Sequence, residues 1–274
     1  MTQNEIKQIR SLQIKKFRDE LNLFVAEGDK CISELSKAFT LVQHFSADNT
    51  PLKDIERASS LRTPQGSIAV FRKPQFPLPV IQPDTLYLAL DGIQDPGNLG
   101  TIIRTADWFG IRDIICSANT ADCFSPKVVQ ATMGAIARVR VHYTDLPAWL
   151  TNAQHSTLHT ALADRSRRSR DKNSQHSTLN SQHSTLNSQP STIYGTLLTG
   201  KDLYAPDAIP DKRSGIIVMG NEGNGLSPEV RKLITHSLRI PSFPPDAPTS
   251  ESLNVAIATA IILAHFRQPD PIKL

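Results

Sequence analysis

Six short apolar segments alternate with helical segments from residue 86 onward, and this alternation constrains the fold more than any other feature of the chain. The segments are LYLAL, DIICS, RVRVH, TIYGTLL, GIIVMG and LRIP. Short apolar strands separated by helices are typical of a parallel sheet that is covered by helices on both faces. The sequence therefore predicts an α/β fold with a parallel sheet for this part of the chain.

A smaller α/β unit precedes that sheet. Its pattern predicts a basic helix, a strand at Leu23 to Ala26, a helix, a strand at TLVQHF, a helix at PLKDIERA and a strand at SIAVFRK. The prolines of RKPQFPLPVIQPD disfavour a helix or a central strand, so we expect an extended linker after this unit. The predicted domains are residues 1–78 and 85–274, joined by a linker over 79–84.

A heptad repeat interrupts the larger domain over residues 151–192. QHSTL begins at positions 154, 175 and 182, and QPST begins at 189, so every offset is a multiple of seven. Each repeat has one apolar residue, whereas a coiled-coil seam needs two. We therefore predict a disordered surface loop, in which the histidines are copies of a repeat rather than metal ligands.

The positive charge of the chain is concentrated away from its glycine-rich turns. Residues 1–78 hold 12 Lys and Arg against 9 Asp and Glu, and residues 151–192 hold 5 against 2, within a formal net charge of +4. Lys and Arg side chains that neutralise phosphates release counterions, and this release favours binding. We therefore expect any polyanion to bind the N-terminal part and the insert. The segment RSRRSR is either a contact for RNA phosphates or a solvated run of charge.

Cysteine spacing and hydropathy exclude several classes of protein. Cys31, Cys116 and Cys123 lack CxxC spacing, so we expect reduced thiols rather than disulfides or a zinc site. No apolar run is long enough to span a membrane, and MTQNEIKQIR lacks the apolar centre of a signal peptide. We therefore expect a cytoplasmic protein with no metal ion and no membrane contact.

The first glycine turn, DPGNLG, joins the first strand of the large domain to a helix. Pro96 and Gly97 are predicted to make the bend, Asn98 to cap the helix, and Gly100 to admit another backbone or a ligand. On a helical wheel, Arg104 points away from the apolar stripe and is either an ordinary solvated arginine or a functional one. The stripe is Leu99, Ile102, Ile103, Ala106 and Phe109, and the opposite face holds Thr101, Arg104 and Trp108.

Two further turns follow strands, and neither has the pattern of a common nucleotide loop. GNEGNGLS lacks the lysine of an ATP-binding phosphate loop, and the glycines of the first turn lack the GxGxxG spacing of dinucleotide-binding sites. Ser227 is predicted to cap a helix, and Glu222 is either solvated or an orienting carboxylate. After LRIP, Ser252 and Asn254 are either helix caps or site groups. The last helix is apolar nearly all round, so we expect it to be buried on most sides.

Together, the three turns carry a specific resemblance. NLGTIIRTA, MGNEGNGLS, and IP followed by SLNV occur in that order at predicted strand ends. In this combination the chain resembles the SpoU, or TrmH-like, RNA ribose methyltransferases of the SPOUT superfamily. The resemblance covers the large domain apart from the insert. LFVAEGDKCISEL and LRTPQGSIAVF also resemble the ribosomal-protein-like substrate-binding domain that precedes the catalytic domain in this family.

The resemblance implies an α/β SPOUT domain with a deep trefoil knot, an obligate homodimer and S-adenosylmethionine as cofactor. The implied reaction is methyl transfer to a ribose 2′-hydroxyl of structured RNA, ribosomal RNA in preference to transfer RNA. The residues at the family's catalytic positions are Arg104, Asn98, Glu222, Ser252 and Asn254. Those at its cofactor-binding positions are Met219, Gly220, Asn221, Gly223, Gly225, Ile240, Pro241 and Leu253.

Elementary chemistry indicates what Arg104 would do in such a site. A ribose hydroxyl is a poor nucleophile and a sulfonium is an activated methyl donor, so the protein must supply positioning and help with one proton. The family's arginine has been interpreted as the base. Because guanidinium resists deprotonation, we expect Arg104 instead to clamp the target phosphate and place the adjacent hydroxyl.

Several alternatives stay open from the sequence. The chain could be a transfer RNA 2′-O-methyltransferase, a non-catalytic RNA-binding or assembly protein with the same fold, or a SPOUT enzyme that methylates a base nitrogen. SFPPDAPTSE is longer than the family's usual loop before SLN and contains no glycine. We therefore expect the cofactor pocket of this chain to differ locally from the family pattern.

Overall fold

A computed structural model describes residues 1–154, 191–244 and 250–268. The predicted disorder of the heptad insert falls mainly on residues 155–190, which lie outside the described residues. Part of SFPPDAPTSE, residues 245–249, lies outside them as well.

The N-terminal unit is a three-stranded sheet with helices packed against it. The strands follow the order β1-β3-β2, and both pairings are antiparallel. A capping box between Thr2 and Glu5 begins the first helix. The elements are α1 (Gln3–Ser11), α2 (Lys15–Leu21), β1 (Leu23–Glu27), α3 (Asp29–Ser36), β2 (Leu41–Ser46), α4 (Leu52–Ala58) and β3 (Ser67–Arg72).

The larger unit contains the predicted parallel sheet. Six strands follow the order β6-β5-β4-β8-β7-β9, and every pairing is parallel. The strands are β4 (Leu86–Asp91), β5 (Asp113–Ser117), β6 (Arg140–Thr144), β7 (Ile193–Asp202), β8 (Gly215–Gly220) and β9 (His236–Arg239). The helices are α5 (Pro96–Trp108), α6 (Pro126–Thr132), α7 (described over 146–154), α8 (Pro228–Arg231) and α9 (Val255–Phe266), with a 3-10 turn at Ala135–Ala137. The α/β prediction is confirmed.

Apolar layers cover both faces of this sheet. One layer contains the buried faces of α5 and α9, and the other contains those of α7 and α8. Cys31, Cys116 and Cys123 are all buried and none forms a disulfide, as predicted. Burial raises the pKa of the Cys31 thiol to about 11, so this sulfur stays protonated at neutral pH.

The N-terminal unit packs directly on the larger unit through a continuous core. The Phe24 ring of β1 lies 4.8 Å from the Phe124 ring, measured between centroids, just before α6. Beside them, the Arg18 guanidinium is 2% exposed and its Nη2 donates to Asp122 Oδ2 at 2.7 Å. Residues 73–85, which include the predicted linker at 79–84, contain neither helix nor strand. The two units are therefore held together by packing and by a buried ion pair.

Two kinds of feature are absent from the described part of the chain. No helix there has the length and apolar character needed to cross a membrane. Within residues 1–154, 191–244 and 250–268, no three His, Cys, Asp or Glu side chains are grouped so that they could hold a metal ion.

Candidate active site

The first two glycine turns begin at neighbouring positions on one edge of the parallel sheet. β4 and β8 are adjacent, and their last residues, Asp91 and Gly220, are register partners. Because parallel strands end at the same edge, the turn after β4 and the turn after β8 leave the sheet side by side. This is the edge at which open α/β sheets commonly bind ligands.

The first turn is capped by Asp95, and the prediction that Asn98 caps the helix is wrong. Asp95 is the residue before α5, and its Oδ1 accepts a hydrogen bond from the Asn98 N–H at 2.8 Å. Pro96 occupies the first helical position, where its missing N–H costs nothing. Asn98 therefore lies inside the first turn of α5, and its side-chain amide is used elsewhere.

Asn98 joins three segments that are far apart in the sequence. Its Nδ2 donates to Glu222 Oε1 at 2.8 Å, and its Oδ1 accepts from Asn254 Nδ2 at 2.9 Å. Asn254 is the N-cap of α9, and its Oδ1 also accepts from the backbone N–H groups of Ala256 and Ile257. Three of the five predicted catalytic residues thus form one hydrogen-bonded chain, in which Asn254 is also the N-cap of α9.

The second turn is shaped by Asn221. Its Oδ1 accepts from the N–H groups of Gly223 and Asn224 at 2.9 and 3.0 Å, and its backbone forms a bridge with Gly225. A Cβ at Gly220 would overlap the Gly225 backbone, and Gly225 has a φ of +67°. These two glycines are therefore required by the tight return of the loop. Gly223 is exposed, and a Cβ there would meet Asn221 Oδ1 at an ordinary contact distance of 3.6 Å, so the packing of the loop does not require this glycine.

Arg104 is not part of the hydrogen-bonded chain. It is exposed on α5, six residues after Asn98, which is about 9 Å along the axis and about a third of a turn round it. Within the part of the chain that the structure describes, its guanidinium forms no hydrogen bond or ion pair. The predicted wheel is confirmed over Leu99, Ile102, Ile103 and Ala106, which are fully buried, and over Thr101, Arg104 and Trp108, which are exposed. Phe109, the last residue of the predicted stripe, is half-buried just after α5.

Two family models match the chain and show which family it belongs to. The SpoU rRNA Methylase family matches residues 85–264, and the MRM3-like substrate binding domain matches residues 3–68. The chain belongs to the SpoU rRNA methylase family. The resemblance carried by the three sequence motifs is confirmed.

SpoU-type relatives match nearly the whole chain. The 23S rRNA (guanosine(2553)-2'-O)-methyltransferase RlmP of Bacillus subtilis (strain 168) is 27% identical over 279 residues, or 96% of each sequence. A TrmH-family structure from Porphyromonas gingivalis is 36% identical with a TM-score of 0.73, covering 97% of this chain and 98% of that one. The AdoMet-bound rRNA methyltransferase from Sinorhizobium meliloti is 29% identical with a TM-score of 0.72, covering 97% and 95%. The chain spans about half or less of the vertebrate mitochondrial rRNA methyltransferases that it matches.

The remaining residues predicted from the SpoU motifs lie in different environments. Ser252 is exposed and makes no hydrogen bond to the rest of the described chain. Met219 is in β8 and is 1% exposed within the apolar core. Ile240 and Pro241 are half-buried directly after β9, and Leu253 is 48% exposed before α9.

The structure makes two expectations about neighbours of this site more specific. A Cβ at Gly100 would overlap the Ala131 Cβ and lie 3.0 Å from the Val128 carbonyl oxygen, so of the two predicted alternatives this glycine admits another helix, α6, rather than a ligand. The last helix, α9, is buried on most sides, as predicted, and its residue Ile257 is 53% exposed.

Sequence reasoning also missed Asp91. Its carboxylate is 7% exposed, and Oδ2 accepts from the Ser227 N–H, at the end of the second turn, at 2.7 Å. Ser227 occupies the predicted cap position of α8, yet its side chain makes no capping hydrogen bond. The signal that could have identified Asp91 was an aspartate in the last position of a buried strand, directly before a glycine.

Proposed function

We propose that this protein transfers a methyl group from S-adenosylmethionine to a ribose 2′-hydroxyl of RNA, with ribosomal rather than transfer RNA as the substrate. The observation that carries the proposal is the convergence of three strand-end segments, linked through Asn98, Glu222 and Asn254, in a chain of the SpoU family. A ribosomal RNA methyltransferase among the solved relatives is bound to AdoMet, and RlmP is a 23S rRNA 2′-O-methyltransferase.

The second turn and the segments around β9 and α9 fit a bound S-adenosylmethionine. Gly223 is exposed and presents a backbone without a side chain, and half-buried Ile240 and exposed Leu253 supply apolar surface near the same edge. The cofactor supplies an activated methyl group on a sulfonium. Met219, Gly220, Asn221, Gly225 and Pro241 complete the proposed cofactor-binding set.

Arg104 is the proposed grip on the RNA backbone. Its guanidinium has no partner among the residues that the structure describes, and its planar set of N–H donors can bind a phosphate through two hydrogen bonds. Binding of this kind would fix the neighbouring ribose hydroxyl. Asn98 holds the Glu222 carboxylate in place, and Ser252 lies two residues before Asn254 for substrate or cofactor contact. Positioning of this kind is what a reaction with an activated donor requires.

A second copy of the chain is the proposed partner of the α5 and α9 surface. Trp108 is 85% exposed on α5 and Ile257 is 53% exposed on α9, and large exposed apolar side chains favour an interface. The distance of Arg104 from the Asn98 network within one chain supports a site composed across such a dimer.

A test is Ile257→Lys, which we expect to give monomers in sedimentation velocity. Val80→Lys, at a side chain 74% exposed in the linker, is the matched control.

The knot and the cellular location also remain proposals. Thr196 and Lys201 of β7 both pair with Leu238 of β9, and a Cβ at Gly200 would overlap the Leu238 backbone. This is a bulge in the β7–β9 pairing, and the knot is proposed from the membership of the chain in the SpoU family. A cytoplasmic location is supported by the bacterial RlmP relative, whose substrate is 23S rRNA.

The decisive experiment measures label transfer from methyl-labelled S-adenosylmethionine to total RNA. We expect ribose label with the wild type and background with Arg104→Ala. The matched control is Arg112→Ala, which removes an exposed arginine, 59% accessible, next to the start of β5 at the opposite edge of the sheet. Equal background label for wild type and Arg104→Ala would favour the non-catalytic RNA-binding alternative. Label in the nucleobase would indicate methylation of a base nitrogen, and label in transfer RNA alone would revise the substrate.

A further inference from the structure

A buried carboxylate links the beginning of the first turn to the end of the second. Asp91 is the last residue of β4, and its Oδ2 accepts from the Ser227 N–H at 2.7 Å across 136 positions of sequence. The carboxylate is 7% exposed. A hydrogen bond in a poorly solvated environment is stronger than one in water, so this contact restrains the turn.

The next residue, Gly92, is held through both of its backbone polar groups. The Gly92 carbonyl accepts from Asn221 Nδ2 at 2.7 Å, and the Gly92 N–H donates to Ser117 Oγ at 2.8 Å. Gly92 has a φ of +75°, which a residue with a side chain rarely adopts. Groups from the ends of β8 and β5 thus meet at the end of β4, and the turn after β8 is fastened at both its beginning and its end.

Resting on the proposed function, we propose that Asp91 is a positioning residue for cofactor binding. The β4–β8 ladder ends at the pair Asp91 and Gly220, so the sheet itself does not fix the turn beyond this rung. The Asp91–Ser227 bond fixes the far end of that turn. Asp91 therefore sets where Gly223 and Glu222 stand relative to Asn98 on α5, and it does so without touching substrate.

Two pairs of variants separate this role from general stability. Asp91→Ala removes the acceptor, whereas Asp91→Asn keeps an oxygen acceptor at the same place. Ser227→Pro removes the N–H donor at a backbone φ of −59° that proline adopts, whereas Ser227→Ala keeps the N–H and removes a side chain that makes no capping bond. The stability control is Asp113→Ala, at an aspartate 6% exposed on β5 at the opposite edge of the sheet.

The measurement is the Kd of S-adenosylmethionine by calorimetry, together with kcat, KM and Tm for each full-length variant. We expect the Kd to rise about tenfold or more in Asp91→Ala and Ser227→Pro. The two conservative variants should stay within about threefold of the wild type. Asp113→Ala should lower Tm and leave the Kd unchanged. The Ser227 pair provides the answer if Asp91→Ala does not fold.

Three results would overturn the inference. One is an unchanged Kd in folded Asp91→Ala or Ser227→Pro. Another is a loss of affinity in Asp113→Ala as large as that in Asp91→Ala at a similar loss of Tm. The third is Asp91→Asn behaving like Asp91→Ala. If wild-type protein itself fails to bind S-adenosylmethionine, the proposed function fails and this inference fails with it, whereas the first three results leave the proposed function intact.

Discussion

At the scale of single residues, the candidate site depends on one amide. Asn98 uses its nitrogen as a donor to Glu222 and its oxygen as an acceptor from Asn254, and an amide side chain offers both functions without depending on pH. The network is exposed, so its contribution to the free energy of unfolding is small. Its effect is to orient three segments relative to one another.

Asn98→Asp should make methyl transfer strongly dependent on pH. The new carboxylate would stand in hydrogen-bonding contact with Glu222, and two adjacent carboxylates raise the pKa of one of them. When that group is protonated, it again donates to Glu222 while its other oxygen accepts from Asn254. We therefore expect the ratio of variant to wild-type activity to be low at pH 8 and to rise as the pH falls toward 5.5.

The control is Asn98→Ala, measured over the same pH range with the same RNA. It carries no titratable group, so its activity relative to the wild type should be low and flat with pH. A ratio for Asn98→Asp that is equally flat would show that the contact with Glu222 does not govern the reaction.

At the scale of elements, α5 is positioned by its contact with α6. Gly100 allows the two helices to approach until the α5 backbone lies against Ala131 and the Val128 carbonyl. This contact fixes the helix that carries both Asn98 and Arg104. A glycine inside a helix normally weakens it, and here close packing offsets that cost.

Gly100→Ala should destabilise the protein by about 1–3 kcal/mol, because the new methyl group overlaps Ala131 and forces α6 away. Urea unfolding followed by circular dichroism measures this change. Adding Ala131→Gly should restore part of the loss, since the Val128 carbonyl oxygen remains close. Gly66→Ala, where a Cβ meets nothing within 4 Å, serves as the control and should leave the free energy of unfolding nearly unchanged. Equal stability for both alanine variants would refute this account of Gly100.

At the scale of the whole molecule, the N-terminal unit is fixed to the larger unit by a buried arginine. Arg18 donates to Asp122 through Nε and Nη2, and to the Leu12 carbonyl through Nη1. The Glu34 carboxylate forms a second connection with Arg138 at 2.7 Å. A unit held this firmly presents its basic surface in a constant orientation relative to the candidate site.

Arg18→Met should cost about 3 kcal/mol, because it leaves the largely buried Asp122 carboxylate without its partner. We then expect two separate unfolding transitions, one for each unit. Tryptophan fluorescence reports the larger unit alone, since both tryptophans belong to it, whereas circular dichroism reports both units. Lys15→Met, which breaks a pair with side chains 66% and 43% exposed, should change the stability by less than about 1 kcal/mol. A single transition in Arg18→Met with wild-type stability would contradict the proposed attachment.

The local features of this protein were set by its sequence. Apolar spacing predicted β5, β8 and the buried stripe of α5. A continuous apolar run is buried as a strand, and apolar residues at helical spacing share one buried face, so both features follow from local residue order. The motifs also indicated the family and the side chains Asn98, Glu222 and Asn254. Proline and glycine spacing placed the turns at strand ends.

The tertiary structure alone decided how these parts meet. It replaced Asn98 by Asp95 as the cap of α5, assigned Gly100 to helix packing and brought Asp91 to Ser227. The Asp91–Ser227 contact joins positions 136 residues apart, and Gly100 meets Ala131 on a different helix. The pattern within either segment carries no record of these partners. A buried donor or acceptor needs a hydrogen-bond partner in the folded chain. The identity of that partner is decided only when the strands align in the sheet.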